Sequence, residues 1–313
     1  MKLLSKIIAP NSNIFLISDD HEGSQFRYSK GWDRMCDMVN SEWNGIKSKN
    51  NYVVDGGDFM EAIAIDDYRY GPETDAESIP DLQVEAGVEN RKPIKDHIVT
   101  ILDGNHPFKL WKFGMLTARL CRMLGVPYGT WTAKISWTDK RGSVKFKSFH
   151  RHGTKSITST ADDPKRRKTN MELILKRHLK EAAGDTILMC KSHTHKLLVS
   201  RPEPPLYLTD DGRNIHAGYA EAVQNAEYIH PDLRWYVNTG SFLRMYNVGS
   251  HLSGKFGENL GVSGYAERAE YDPVELGFAI VEVRDWCITE VRKVKLSAGH
   301  AGKKVGLDID PPL

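Results

Sequence analysis

Five short stretches of this sequence concentrate residue types that bind cations, and each follows an apolar run. Asp19 and His21 follow Ile14–Ser18, and Asp55-Gly56-Gly57-Asp58 follows the run that starts at Tyr52. Asp103-Gly104-Asn105-His106 follows Ile98–Leu102. His150-Arg151-His152-Gly153 follows Phe146–Phe149, and Lys191-Ser192-His193-Thr194-His195 follows Thr186–Cys190. Carboxylate oxygen, neutral imidazole and an amide carbonyl together suit Zn²⁺, Fe and Mn²⁺. None of the five stretches contains a cysteine, which argues against a thiolate zinc site. Two cations about 3.5–4 Å apart can generate a hydroxide and clamp the attacking and leaving oxygens of a phosphoryl transfer.

Elements of known geometry must bring these stretches together. The apolar runs read as buried strands, and Phe278–Val283 with Cys287–Val294 reads as a closing hairpin. Between the first two strands, Trp32, Met35, Cys36, Val39, Trp43 and Ile46 recur at spacings of three and four, the stripe of a helix. Strand, helix, strand at this length predicts a parallel βαβ unit with a right-handed crossover. Phe113, Leu116, Leu120 and Leu124 predict a second helix, stopped by Gly125 and Pro127. A third is expected over Asn170–Ala183. Lys134–Trp137 and Val144–Phe149 read as a strand pair. In open α/β sheets, ligands gather outside the carboxyl ends of the strands, so the five stretches should converge. Residues 62–93 and 242–273 lack periodicity and are expected to be functional loop insertions.

The chain has 313 residues and is expected to form a single α/β domain over residues 1–313. Its 27% charged and 40% hydrophobic residues fit a globular protein, not a disordered one. The net charge of +2 gives no overall pull toward nucleic acid, although residues 134–180 are rich in Lys and Arg. Cys36, Cys121, Cys190 and Cys287 are far apart, which predicts buried free thiols in a reducing compartment. Met1–Pro10 lacks the long apolar core of a signal peptide, and no apolar run reaches membrane-spanning length. The expected location is therefore cytoplasmic, with no membrane partner.

As an ordered set, the five stretches resemble the calcineurin-like metallophosphoesterase superfamily. That family carries D-x-H, G-D-x-x-D/E, G-N-H-D/E, H-G and G-H-x-H in this order. Here they read Asp19-Asp20-His21, Gly57-Asp58-Phe59-Met60-Glu61, Gly104-Asn105-His106-Pro107, His152-Gly153 and Ser192-His193-Thr194-His195. Asn238-Thr239-Gly240-Ser241 resembles a further N-P-G-S turn. The resemblance implies a four-layer αββα sandwich with two mixed β-sheets. It implies two divalent metal ions, with Mn expected and Fe, Zn or Ni as alternatives. Asp19, His21 and His195 would hold one, Asn105, His152 and His193 the other, and Asp58 would bridge. His106 would be the general acid or a transition-state stabiliser, and a metal-bridging hydroxide the nucleophile. The implied activity is hydrolysis of a phosphate monoester or diester, with nucleic acid among the candidate substrates. A non-catalytic scaffold on the same fold is the rival reading. Two departures stand out: Pro107 replaces an acidic residue that orients the motif histidine, and Ser192 replaces a glycine.

Several choices stay open on the residues alone. His150 and His152 share a face, and Gly153 favours His152. Asp55 competes with Asp58. The basic run Pro164–Lys168 reads first as a solvated loop. Arg244 and Arg268 are candidate substrate contacts, because guanidinium suits phosphate.

Overall fold

A computed structural model describes residues 1–63, 67, 69–70, 77, 79–246, 265–296 and 307–309. In chain order its strands are β1 (Lys2–Ile7), β2 (Ser12–Ile17), β3 (Asn51–Asp55), β4 (Ile98–Ile101), β5 (Thr132–Thr138), β6 (Val144–Arg151) and β7 (Leu188–Lys191). They continue as β8 (Leu197–Ser200), β9 (Leu206–Asp210), β10 (Ile215–Tyr219), β11 (Trp235–Thr239), β12 (Gly277–Arg284), β13 (Cys287–Leu296) and β14 (Leu307–Ile309). The α-helices are α1 (Ser29–Asn40), α2 (Pro80–Arg91), α3 (Asn105–Lys109), α4 (Leu116–Leu124), α5 (Pro164–Leu179) and α6 (Tyr265–Arg268).

Two six-stranded mixed sheets dominate. One runs β14-β13-β12-β2-β3-β4, the other β1-β5-β6-β7-β11-β8, and β9 and β10 form a two-stranded sheet. β2, β3 and β4 are parallel, as the βαβ pattern predicts. β6, β7 and β11 are parallel in the other sheet. Successive side chains on a strand point to opposite faces, and here both faces are apolar. Ile14 and Leu16 of β2 join Trp137, Phe146, Leu188 and Val237 of the other sheet in one core between the sheets. Phe15 and Ile17 face outward, against Trp32, Met35 and Val39 of α1, Val84 of α2 and Leu120 of α4. On the far side, Phe149, Met189 and Tyr236 pack against Leu175 and Leu179 of α5. This is a mixed α/β protein compatible with an α/β sandwich.

The helix bounds differ from the periodicity for local reasons. α1 stops at Asn40, and Trp43 and Ile46 pair across a turn at Asn44 and Gly45, both with positive φ. α5 starts six residues before the expected Asn170, because Asp163 caps it and Pro164 suits its first turn. The Asp163 carboxylate accepts the Arg166 N–H at 2.7 Å. The basic run is thus the exposed first turn of a helix, not a loop. Phe113 lies outside α4, in an exposed 3-10 turn. Residues 62–93 are not simply a loop insertion, because Pro80–Arg91 is a helix packed on α4. Its apolar stripe is weak, because Gln83, Gly87 and Arg91 are buried beside Val84 and Val88. Of the 242–273 insertion, residues 247–264 lie outside the described residues. Three of the four cysteines are buried as expected, but Cys287 is exposed at the start of β13. Among the described residues, no helix is long and apolar enough to cross a membrane.

Candidate metal centre

Because β2, β3 and β4 run parallel, as do β6 and β7, their carboxyl ends deliver five loops to one place. Asp19 and His21 follow β2, Asp58 follows β3, Asn105 and His106 follow β4, His152 follows β6, and His193 and His195 follow β7. Three groups of possible metal ligands form there; one is His21, Glu61 and His106, and the other two consist wholly of expected ligands. In the first of these two, ligand atoms of Asp19, His21 and His195 lie within 4.8 Å of one another; in the second, those of Asp58, His152 and His193 do. Asn105 joins the second group, its Oδ1 3.1 Å from His152 Nε2. The groups are tied together, since the His193 N–H donates to Asp19 Oδ2 at 3.2 Å and the His21 N–H to the Asp58 carbonyl at 3.1 Å. All seven expected ligands therefore meet.

The donor set has the character of a cation site. Asp58 Oδ1 accepts the His106 N–H at 2.9 Å, and Asp19 Oδ2 accepts from the Ser18 hydroxyl and the His193 N–H. The other oxygen of each is buried and meets only an imidazole nitrogen, Asp58 Oδ2 that of His152 at 3.1 Å and Asp19 Oδ1 that of His195 at 3.4 Å, so it has a donor only if that nitrogen is protonated. An unpaired buried carboxylate oxygen costs several kcal/mol or more, by order of magnitude, unless a cation meets it. His152 makes the point sharper. Its Nδ1 lies 2.7 Å from the Gly56 carbonyl and must donate to it. Its Nε2 then faces Asp58 Oδ2 and Asn105 Oδ1, both at 3.1 Å. Only a proton on Nε2 or a cation between the three atoms satisfies them. Similarly, His21 Nε2 and His195 Nε2 are 3.2 Å apart. On these grounds the residues could hold metal ions.

Electrostatics agree. Burial opposes charge on His152, but the Asp58 carboxylate outweighs it and pushes the imidazole pKa up to about 9. Burial also opposes ionisation of Asp58, yet the facing histidines hold it well below the usual carboxylate range. Asp19 behaves alike, held at about 2 against burial chiefly by His195. Burial lowers His193 to about 4.

Backbone strain concentrates at the same residues. Asp19, His21, Asp58, His193 and His195 have φ of +54°, +53°, +51°, +84° and +56°. Each left-handed non-glycine residue costs roughly 1–3 kcal/mol and persists only where its surroundings impose it. Here five ligand positions carry it, and the turn Asn238–Ser241 helps to hold them. Ser241 Oγ donates to the Asp19 carbonyl at 3.0 Å, and Asn238 Nδ2 to Thr194 Oγ1 at 2.8 Å. Close approach needs Gly104, because a Cβ there would lie 2.0 Å from Asp58 Oδ1. We expect Gly104→Ala to displace Asp58 and lose metal, with a melting temperature several degrees lower, as metal analysis and calorimetry on one preparation would show.

The alternatives left open by the sequence separate cleanly. Asp55 and Asp20 are not in the ligand groups: Arg91 of α2, fully buried, donates to Asp55 Oδ2 at 2.9 and 3.0 Å and to Asp20 Oδ2 at 3.2 Å. His150 bonds Ser148 Oγ at 2.8 Å, and burial pushes its pKa down to about 3, so His152 is the member of the cluster. Ser192 has no positive φ, so its replacement of glycine carries no backbone penalty. Comparison with known proteins finds no matching family model and no matching curated protein.

Two residues of the site went unassigned in the sequence. Glu61 Oε2 lies 2.7 Å from His21 Nδ1, and although burial opposes it, this carboxylate raises the His21 pKa. Such a partner fixes the tautomer and orientation of a ligand imidazole. The Glu61 carbonyl also accepts from His106 Nδ1, which replaces the orientation an acid at position 107 would give. The second residue is Arg69, buried, whose Nη1 donates to His106 Nε2 at 3.3 Å. Burial lowers the His106 pKa to about 4. With Nδ1 donating and Nε2 accepting, His106 is a neutral ring whose Nε2 carries no proton, so a general-acid role would need a proton from elsewhere. Of the candidate substrate arginines, Arg268 donates to the Arg69 carbonyl at 3.1 Å and so reaches the site's edge. Arg244 instead stacks on the Tyr28 ring at 4.5 Å.

Proposed function

We propose that this protein is a metal-dependent phosphoesterase on a four-layer αββα sandwich, hydrolysing a phosphate ester with two divalent cations. The observation that carries this reading is the paired arrangement at the strand ends. Two buried Asp–His–His groups lie side by side, each with a carboxylate oxygen that faces only imidazole nitrogen, Asp58 Oδ2 at 3.1 Å from His152 and Asp19 Oδ1 at 3.4 Å from His195. Asp19, His21 and His195 would hold one cation, and Asn105, His152 and His193 the other, with Asp58 between them. Bound there, such cations activate water and neutralise charge on phosphoryl oxygens. Oxygen and imidazole donors without thiolate suit Mn²⁺, and also Fe, Zn or Ni.

The chain's own residues supply the rest. Glu61 fixes His21, the Gly56 carbonyl fixes His152, and the Asp58 carboxylate positions the His106 backbone. Neutral His106 stands beside the cluster, its ring 4.5 Å from that of His21, with the Arg69 guanidinium behind it. In this arrangement Arg69, its guanidinium held by Asp67 at 2.7 Å, orients the His106 ring from behind, and His106 contacts the leaving side.

The test is hydrolysis of a chromogenic phosphodiester and monoester with Mn²⁺, with and without chelator. Turnover that chelator abolishes supports the reading. Stoichiometric metal with no turnover on either ester would overturn it in favour of a non-catalytic scaffold. His106→Ala is expected to lower turnover by roughly a hundredfold at unchanged metal content. Steady-state kinetics beside metal analysis would check this, and unaltered turnover would remove the residue from the chemistry.

A further inference from the structure

We infer that the segment after the Asn105-His106 motif is a stacking platform for single-stranded nucleic acid, placing an internucleotide phosphate at the metal centre. The inference rests on the phosphoesterase reading and names its substrate class. Phe108, Trp111 and Phe113 expose 50%, 62% and 71% of their surface. A single exposed aromatic needs no explanation, but three within six residues form a patch of the kind that marks an interaction surface. Phe108 lies in the last turn of α3, and Trp111 and Phe113 lie in the 3-10 turn that follows it.

These rings are continuous with the metal centre. Phe108 packs edge-on against Trp131 at 5.3 Å between centroids, and Trp131 against His152 at 6.0 Å. The His152 N–H donates to the Trp131 carbonyl at 3.0 Å, so the platform is anchored to a ligand residue. Charge points the same way. From Gly104 to Thr138 the sequence has Lys109, Lys112, Arg119, Arg122 and Lys134, and no Asp or Glu. Arg119 pairs with Asp81, Lys134 with Asp185, and Lys109 sits 3.5 Å from Asp67. Exposed Lys112 stands between Trp111 and Phe113. Aromatic faces interleaved with cations bind single strands, because unpaired bases stack on rings while the backbone meets the charges. In a duplex those base faces are already occupied, which sets the preference for unpaired strands.

The test measures binding of fluorescein-labelled single-stranded oligothymidylate by the full chain in chelator, read by fluorescence anisotropy. Trp111→Ala and Lys112→Glu change exposed residues, so the fold should stand. Trp111→Ala should weaken binding by about tenfold or more. Lys112→Glu should weaken it and flatten its salt dependence. With Mn²⁺, Trp111→Ala should lose about tenfold more activity on the oligonucleotide than on a small chromogenic diester. Equal binding by wild type and Trp111→Ala would overturn the inference, as would equal affinity for duplex and single strand. A wild-type dimer that Trp111→Ala converts to monomer, seen by light scattering, would also overturn it by making the face a contact between copies. The two readings fail separately. Small-diester turnover without strand binding sinks the platform alone, whereas strand binding without turnover on any ester sinks the phosphoesterase reading alone.

Discussion

Asp58→Asn is expected to abolish phosphoester hydrolysis, with at least roughly a thousandfold loss, about 4 kcal/mol of transition-state stabilisation. The amide is nearly isosteric, and its oxygen can still accept the His106 N–H that now meets Oδ1 at 2.9 Å. What disappears is the charge and the second oxygen. Oδ2 is buried and meets only His152 Nε2, at 3.1 Å, and it lies among three acceptors that only positive charge reconciles. An amide nitrogen there presents two protons toward the cation position. Metal content should therefore fall from two equivalents to one or none, while the far-ultraviolet dichroism and cooperative melting persist. Full metal occupancy in the variant would show that Asp58 is not a shared ligand. A cooperative fold with two metals and normal turnover would remove the site from the chemistry altogether.

Much of this geometry is legible in the sequence, because it sits in two strong patterns. Apolar runs such as Ile14–Ser18 give strands, and polar residues placed where those runs end give a site at the carboxyl edge. Asp19, His21, Asp58, Asn105, His193 and His195 all came from that rule, and their convergence follows from β2, β3, β4, β6 and β7 being parallel within their sheets. The fourth stretch was ambiguous because His150 and His152 share a strand face. What separates them is distance from the strand end: His150 is inside β6, bonded to Ser148, while His152 is beyond it.

Other features left weaker traces. β1 is an edge strand, its Leu3 exposed and its Lys2 and Lys6 breaking the apolar run, so only pairing with β5 reveals it. α2 carries a buried arginine that reads as a surface residue in any periodicity count. Its guanidinium lies between Asp55 and Asp20 and 4.6 Å from the Trp32 ring. Nothing local predicts that a helix in an acid-rich stretch supplies the cation behind two of the metal-loop carboxylates. Glu61 had a faint signal, being the acidic end of the Gly57–Glu61 motif. Arg69 had none, since its role arises only from meeting His106 across 37 positions of sequence.

The second large effect concerns the cations and pH. Chelation should lower the melting temperature by roughly 10 °C. A ligand that binds only the folded state at a thousand times its Kd adds about 4 kcal/mol, and each kcal/mol moves a domain near this size by about 2–4 °C. The dependence on pH then has a definite sign. In the stripped protein the His152 pKa is raised to about 9, chiefly because Asp58 overcomes burial. A group raised in the folded state stabilises fully below its ordinary value of 6.5, and that contribution is lost as pH rises through about 9. The stripped protein should therefore lose stability across this window. The loaded protein should do the opposite, because a cation needs the Nε2 lone pair and each binding event below about 9 expels the His152 proton. His21, raised by Glu61 against the effect of burial, adds in the same direction. His193, lowered to about 4 by burial, is already neutral and adds nothing in this range. Melting of stripped and Mn²⁺-loaded protein from pH 6.5 to 9 should show the gap between them widening with pH, and calorimetry in buffers of different ionisation enthalpy should detect the released proton. A gap that stays constant or narrows would mean that His152 does not meet the cation, and the second half of the centre would have to be built from other residues.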